Sequence, residues 1–380
     1  RMIWNKPKGW RDMEKALFGD LCSNFNKLGG MIPAIPCPEL AALFEELFTE
    51  EEAKIAAKLP PVATSAPDLA KQLSRPESEI TPLLESMADK ATVLSRKKDG
   101  VDLYRLLAIM PGMFEFQFMR GTDTEHDRRL ARMFKAYLDI AEPMVTQTLA
   151  SAQAATPPTR IIPVEKTIQA GQTVYTFDQL SRYIESADAI AVGHCYCRHQ
   201  AHLLGEESCE APNECCMNFG PGARYTAERG ITRMITKKEA HAILQECEEH
   251  GLVHLSSNTS EFLEYLCNCC SCHCDILHKL KETDKPIWIA SSGYVAMVNE
   301  ALCESCETCV EKCQVEAVSM NDAQIAVVDS SRCIGCGACA NLCPTEAISM
   351  ALHPQVPSPP GTARDLRQAI LQGIQNAVAE

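Results

Sequence analysis

No apolar run in this sequence approaches the roughly 18 residues that a membrane helix needs, so insertion into a bilayer is not expected. The stretch Arg1 to Asp20 has no apolar core of a secretory signal, and a cytoplasmic location is the expectation. Positive charge is short: 36 Lys and Arg stand against 50 Asp and Glu, a net charge of −14. An acidic chain is repelled by phosphate backbones, which makes nucleic acid an unfavoured partner. A phosphate loop, a dinucleotide fingerprint and a nucleophile paired with a base are also missing. Gly220-Pro221-Gly222 is too short and too proline-bound to serve as the first of these.

Cysteine is scarce in the first half and dense in the second. Only Cys22 and Cys37 precede Cys195, while 19 of the 21 fall between Cys195 and Cys343. A disulfide framework suits small secreted domains, not a chain of 380 residues without an export signal. Spacings such as Cys-x-Cys and Cys-Cys also fit bridge geometry poorly. Metal–thiolate chemistry is the remaining reading.

With 46% hydrophobic and 23% charged residues, the chain has material for two or three cores, and an α+β, multidomain architecture is expected. Residues 1–61 read as a helical docking segment. Leu40, Leu43, Phe44 and Leu47 follow helical spacing after Pro38, Thr49 and Glu52 form a capping box, and Pro60-Pro61 ends the run. In 62–120, a helix from Asp68 to Leu73 meets a turn at Ser74-Arg75-Pro76. A second helix, Ser78 to Lys90, precedes two strands around Asp99-Gly100, a strong hairpin signal. This order resembles winged-helix DNA-binding domains. The helix in the recognition place carries Glu79, Glu85 and Asp89 against one lysine, and only Arg96, Lys97 and Lys98 of the wing favour phosphate. Protein docking or scaffolding is therefore the preferred role. Residues 121–163 read as a long helix from Thr124 to Ala152, kinked at Pro143, then a linker over Ala154–Pro163.

Residues 164–293 read as a mixed α/β, cysteine-rich domain. Its expected elements include helices at Asp178–Ile184 and Thr259–Leu266, with strands at Ala189–Val192 and Val253–Leu255. A capping box at Thr236 and Glu239 should open a helix that Gly251 stops. Residues 294–352 form a cysteine repeat, and 353–380 a Pro-rich linker and terminal helix with Leu366, Ile370 and Ile374 on one face.

The repeat is specific. Cys303-x2-Cys306-x2-Cys309-x3-Cys313 recurs 30 residues on as Cys333-x2-Cys336-x2-Cys339-x3-Cys343, and Glu316-Ala-Val-Ser-Met320 recurs as Glu346-Ala-Ile-Ser-Met350. It resembles bacterial-type dicluster ferredoxins, which implies a ferredoxin-like βαβ repeat and two 4Fe-4S clusters. The resemblance further implies that the fourth cysteine of each run crosses over. Cys303, Cys306, Cys309 and Cys343 would hold one cluster; Cys333, Cys336, Cys339 and Cys313 the other. The first loop, with Glu304, Ser305, Glu307 and Glu311, should be more polar and solvated than Ile334-Gly-Cys-Gly-Ala-Cys339. Gln314 departs from the family's proline.

A second cysteine field comprises Cys195, Cys197, Cys209, Cys215, Cys216, Cys267, Cys269, Cys270, Cys272 and Cys274. Soft thiolates at this density favour iron–sulfur or zinc over hard ions. Adjacent cysteines cannot all face one cubane, so the field feeds more than one centre or leaves some thiols free. One or two further iron–sulfur clusters are preferred, with zinc or free thiols as alternatives. His194 and His199 read as supporting donors, Arg198 as a partner for sulfur or an anionic cluster, and Cys247 as core. The whole layout resembles multi-cluster iron–sulfur proteins of anaerobic bacteria. The expected function is electron transfer to or from a partner oxidoreductase. An iron–sulfur enzyme centred on the middle field and a redox-sensing regulator stay open.

Overall fold

The computed structural model describes residues 15–151, 156–168, 176–207, 209–282, 287–353 and 358–379. Residues 1–14 of the docking segment, the start of the expected linker and 354–357 of the Pro-rich run lie outside them. The chain divides into two compact units, 1–145 and 146–380, each mixing helix and sheet.

In the first unit, α1 (Lys15–Leu28), α2 (Pro38–Leu47) and α3 (Glu50–Ala56) bury the apolar stripe anticipated from the sequence. Leu40, Leu43 and Phe44 are fully enclosed, and Phe44 stacks on Phe25 at 4.9 Å. Thr49 and Glu52 close their capping box. The same buried Glu52 carboxylate accepts from Ser86 Oγ (2.7 Å) and Lys90 Nζ (2.6 Å), so one side chain caps α3 and anchors the next helix pair. That pair is α4 (Ala66–Leu73) and α5 (Glu77–Asp89), preceded by β1 (Thr64–Ser65) and followed by β2 (Val93–Lys98) and β3 (Val101–Leu106). The strands form an antiparallel sheet in the order β1-β3-β2. Asp99 and Gly100, at φ 52° and 81°, supply the left-handed pair of a tight hairpin turn. Helices α6 (Met113–Phe118) and α7 (Glu125–Ser151) complete the unit's core through Phe114, Phe118, Phe134 and Tyr137. Helix α7 runs through Pro143 as one assigned helix.

The second unit is built on a seven-stranded sheet. In chain order its elements are β4 (Thr159–Ile162), α8 (Leu180–Ser186), β5 (Ile190–His194), α9 (Tyr196–Leu204), β6 (Glu214–Phe219) and α10 (Gly220–Glu228). Then come β7 (Arg233–Met234), α11 (Lys237–Glu249), β8 (Val253–Ser257), β9 (Tyr265–Cys269), α12 (Asp275–Glu282) and β10 (Ile289–Ala290). The spatial order is β10-β4-β8-β9-β6-β5-β7, with only the β10–β4 pair parallel. The cysteine repeat follows as β11 (Tyr294–Val298), α13 (Thr308–Glu311), β12 (Val318–Met320), β13 (Ala326–Val328), α14 (Ala338–Asn341) and β14 (Ile348–Leu352). Strand β11 pairs with β14 and β12 with β13, both antiparallel. Helix α15 (Ala363–Ala379) ends the chain, with Leu366 buried.

Three local expectations are corrected. Thr259–Leu266 is not a helix: Tyr265 onward is β9, a strand between β8 and β6 whose Leu266 and Asn268 are fully buried. A short apolar run reads equally as either element, and sheet pairing decides it here. The expected linker contains β4, an inner strand whose four residues are all buried. A run of Ala, Thr and Pro reads as a linker, but its Arg160 is buried and pairs with buried Asp178 at 2.8 Å. Desolvation there pushes Asp178 up to about 6 against the pull of that arginine. Thr236 caps α11, but Glu239 bonds Arg233 instead of closing the box.

Candidate metal centres

Cys303, Cys306, Cys309 and Cys343 line one small pocket, so the fourth cysteine of the second run joins the first three of the other. Cys313 lies electrostatically against Cys333, Cys336 and Cys339. Backbone donors converge on the crossing sulfurs. Ala317 N–H reaches Cys313 Sγ at 3.2 Å. At Cys343, burial pushes the thiol up, but the Thr345 hydroxyl and the amides of Thr345, Ala347 and Ile348 outweigh it and hold it below its ordinary value. Amide donors aimed at sulfur suit thiolates that carry a cluster's negative charge, so the residues present fit a 4Fe-4S group.

The two halves share a backbone. Ser305, Glu307 and Glu316 have φ of 58°, 59° and 55°; their counterparts Gly335, Gly337 and Glu346 have 70°, 81° and 53°. Their surroundings differ. Glu304, Ser305, Cys306 and Glu307 are exposed, whereas Ile334, Gly335, Gly337, Ala338 and Cys339 are buried. A Cβ at Gly335 would sit 2.1 Å from the Tyr294 carbonyl oxygen and 2.2 Å from Ser292 Oγ. The second loop is clamped by Ser292 Oγ to Gly335 O (2.6 Å), Ser292 N to Ile334 O (3.0 Å) and Val164 N to Cys336 O (2.9 Å). Burial pushes the Cys336 thiol up to about 12.

The middle field sorts into three groups. Six cysteines close a ring in hydrogen-bonding contact: Cys195, Cys197, Cys274, Cys269, Cys267 and Cys216. They line one small cavity, which Cys270 also borders, and all but Cys197 are at most 6% exposed. Cys267 and Cys269 alternate on β9 and so share a face. The β6–β9 register, Met217 opposite Leu266, brings Cys216 to the same place. Cys195 and Cys274 immediately precede α9 and α12, where the partial positive charge of a helix start favours thiolate. Packed this closely, the six thiols cannot ionise independently, and each one's tendency to lose its proton depends on its two neighbours in the ring.

Cys209, Cys270 and Cys272 stand outside the ring and gather beside His273. Cys215, next to Cys216 on β6 and in hydrogen-bonding contact with it, also meets Arg198 Nη2 at 2.7 Å and the buried thiol of Cys247. Arg198 is itself buried and also reaches Cys270 Sγ at 3.5 Å. His194 and His199 pack ring to ring at 5.9 Å, and neither lines the ring cavity.

Gln314, the residue that departs from the ferredoxin pattern, links the two cysteine regions. Its Oε1 accepts from Ser271 N at 2.8 Å and its Nε2 donates to Gly251 O at 3.2 Å. Asn341 Nδ2 adds a bond to Glu248 O at 3.0 Å. Nothing in the sequence marks Ser292 or Val164 as neighbours of a cysteine loop, and the role of Gln314 was visible only as an exception to a repeat.

Residues 326–349 match the family model described as "4Fe-4S binding domain". No curated protein matches the chain, and no solved structure does. No helix among the described residues is long and apolar enough to cross a membrane. The domain match, on a chain with this density of cysteine, makes it an iron–sulfur protein with a role in electron transfer and at least one 4Fe-4S cluster.

Proposed function

We propose that the chain relays electrons between a partner oxidoreductase and a set of three iron–sulfur centres: two 4Fe-4S clusters on the ferredoxin-like repeat and one further centre in the six-cysteine ring. The observation that carries this reading is the ring itself, six sulfurs turned to one buried cavity within the unit that holds the repeat. Each cluster, when bound, accepts and returns electrons at a potential set by its surroundings. The chain's residues do the rest. Cys303, Cys306, Cys309 and Cys343 would hold one cluster, and Cys333, Cys336, Cys339 and Cys313 the other. Arg198 offsets thiolate charge beside the ring, and Gln314 fixes the ring's flanking turn against the repeat.

Six thiolates exceed the four that one cubane takes, so the ring suits either a larger cluster or a cubane with two spare thiols. Iron and acid-labile sulfide per chain, on protein purified without oxygen, tests the reading. About eight irons would leave only the two clusters of the repeat and sink the third centre; about twelve or more support it.

The helix pair and hairpin of the first unit are read as a winged-helix-like scaffold that docks a protein. The exposed residues of α5 include Glu77, Glu79 and Asp89, a surface that repels DNA. A gel shift with random duplex at low salt should show no complex, and retention of the duplex would instead favour the regulator reading.

A further inference from the structure

We propose that Cys209, Cys270, Cys272 and His273 form a separate mononuclear zinc site beside the six-cysteine ring. One potential ligand atom from each of the four lies within 4.8 Å of all the others, and Cys209 Sγ and Cys270 Sγ are 3.8 Å apart. Three sulfurs and one imidazole nitrogen are a closed tetrahedral set for zinc.

The histidine carries the second, independent observation. Its Nε2 is engaged with the Glu207 carbonyl oxygen at 2.8 Å. Its Nδ1 is buried and, among the described residues, has no hydrogen-bond partner. A buried ring nitrogen without a partner is costly unless something binds it. An Nε2–H donated to a backbone carbonyl leaves the lone pair on Nδ1, the arrangement that metal-ligating histidines use. Charge agrees. Three thiolates, a neutral imidazole and one zinc leave a single negative charge, and the Arg198 guanidinium stands 3.5 Å from Cys270 Sγ.

The geometry also accounts for the crowded run Cys267-Asn-Cys-Cys-Ser-Cys-His-Cys274. Cys267, Cys269 and Cys274 belong to the ring, Cys272 and His273 to the tetrad, and Cys270 lines the ring cavity while its sulfur joins the tetrad. Cys209 comes from the segment between α9 and β6. One ion would thus pin that segment to the turn that presents Cys269 and Cys274, and its work is structural. With four protein ligands the site has no open position for substrate. This inference goes beyond the relay reading and stands whatever the ring binds.

The test uses the full chain, expressed with iron and zinc supplied and purified without oxygen. About one zinc per chain is expected, and zinc-edge X-ray absorption should show three sulfurs near ~2.3 Å and one nitrogen near ~2.0–2.1 Å. Cys272→Ser and His273→Ala should each lower the zinc retained against a chelator by roughly tenfold or more, with iron unchanged. A ring variant, Cys274→Ser, should do the reverse. Unchanged iron in that variant would count against the ring centre and leave the zinc site standing. Wild-type protein without zinc, a zinc shell without nitrogen, or iron lost in place of zinc from the two tetrad variants would overturn the proposal.

Discussion

At repeat positions 305 and 335 the backbone takes the same left-handed turn, with φ of 58° and 70°, yet one residue is serine and the other glycine. Positions 307 and 337 repeat the pattern with glutamate and glycine. Cysteine loops of this spacing therefore impose the turn, and side chains tolerate it where the loop faces water. Glycine becomes obligatory only where another piece of chain comes close, as Ser292 and Tyr294 do at Gly335. The exposed half can accept polar and acidic residues; the clamped half cannot. The two cysteine loops of one repeat thus acquire different solvent access, charge and stiffness, the properties that would set the potential of a cluster bound at each.

The strongest way to break this comparison is to exchange the two residues. Gly335→Ala puts a methyl group into a backbone carbonyl and should cost about 3 kcal/mol or more, with loss of iron from the second half. Ser305→Gly should change stability by less than about 1 kcal/mol. Anaerobic denaturant titration with iron analysis would check both, and equal losses would end the argument. Gln314→Ala, which removes two bonds and leaves the Ser271 amide unpaired, should cost about 1–3 kcal/mol while iron content holds. The mildest effect is electrostatic. In the wild type, a redox titration should resolve two midpoints for the repeat. Glu304→Gln with Glu307→Gln removes exposed charge worth about 0.5–1 kcal/mol per site by Coulomb's law in a wet setting. That should raise one midpoint by about 20–40 mV per charge and leave the other in place.

What could be read from the sequence was local. The hairpin at Asp99-Gly100, the Thr49–Glu52 cap and the stripe from Leu40 to Leu47 each lie within a few residues, and each stands in the structure as expected. The middle field was legible in composition but not in arrangement. Its ring draws on segments that meet only because β9 inserts between β8 and β6, a pairing no periodicity reveals. Several of its cysteines lie in regular elements that the sequence does not assign to them: Cys197 in α9, Cys215 and Cys216 on β6, Cys267 and Cys269 on β9. Nothing in the sequence singles out His273 among the cysteines; only the different surroundings of its two nitrogens do so. The misread linker shows the same limit, since Thr159–Ile162 is strand only by virtue of its neighbours and the burial of Arg160.

The reach of the ring along the chain bears on how the molecule is made. Each run of the repeat draws three of its cysteines from a single short loop and can gather them early. The ring needs Cys195 and Cys274 brought together across most of a sheet, a slow kind of contact. During synthesis its first thiols must wait, reduced and exposed, until α12 follows. If the ring holds the proposed centre, its loading is tied to completion of the sheet, and its thiols are most vulnerable to oxygen before the middle is finished rather than after.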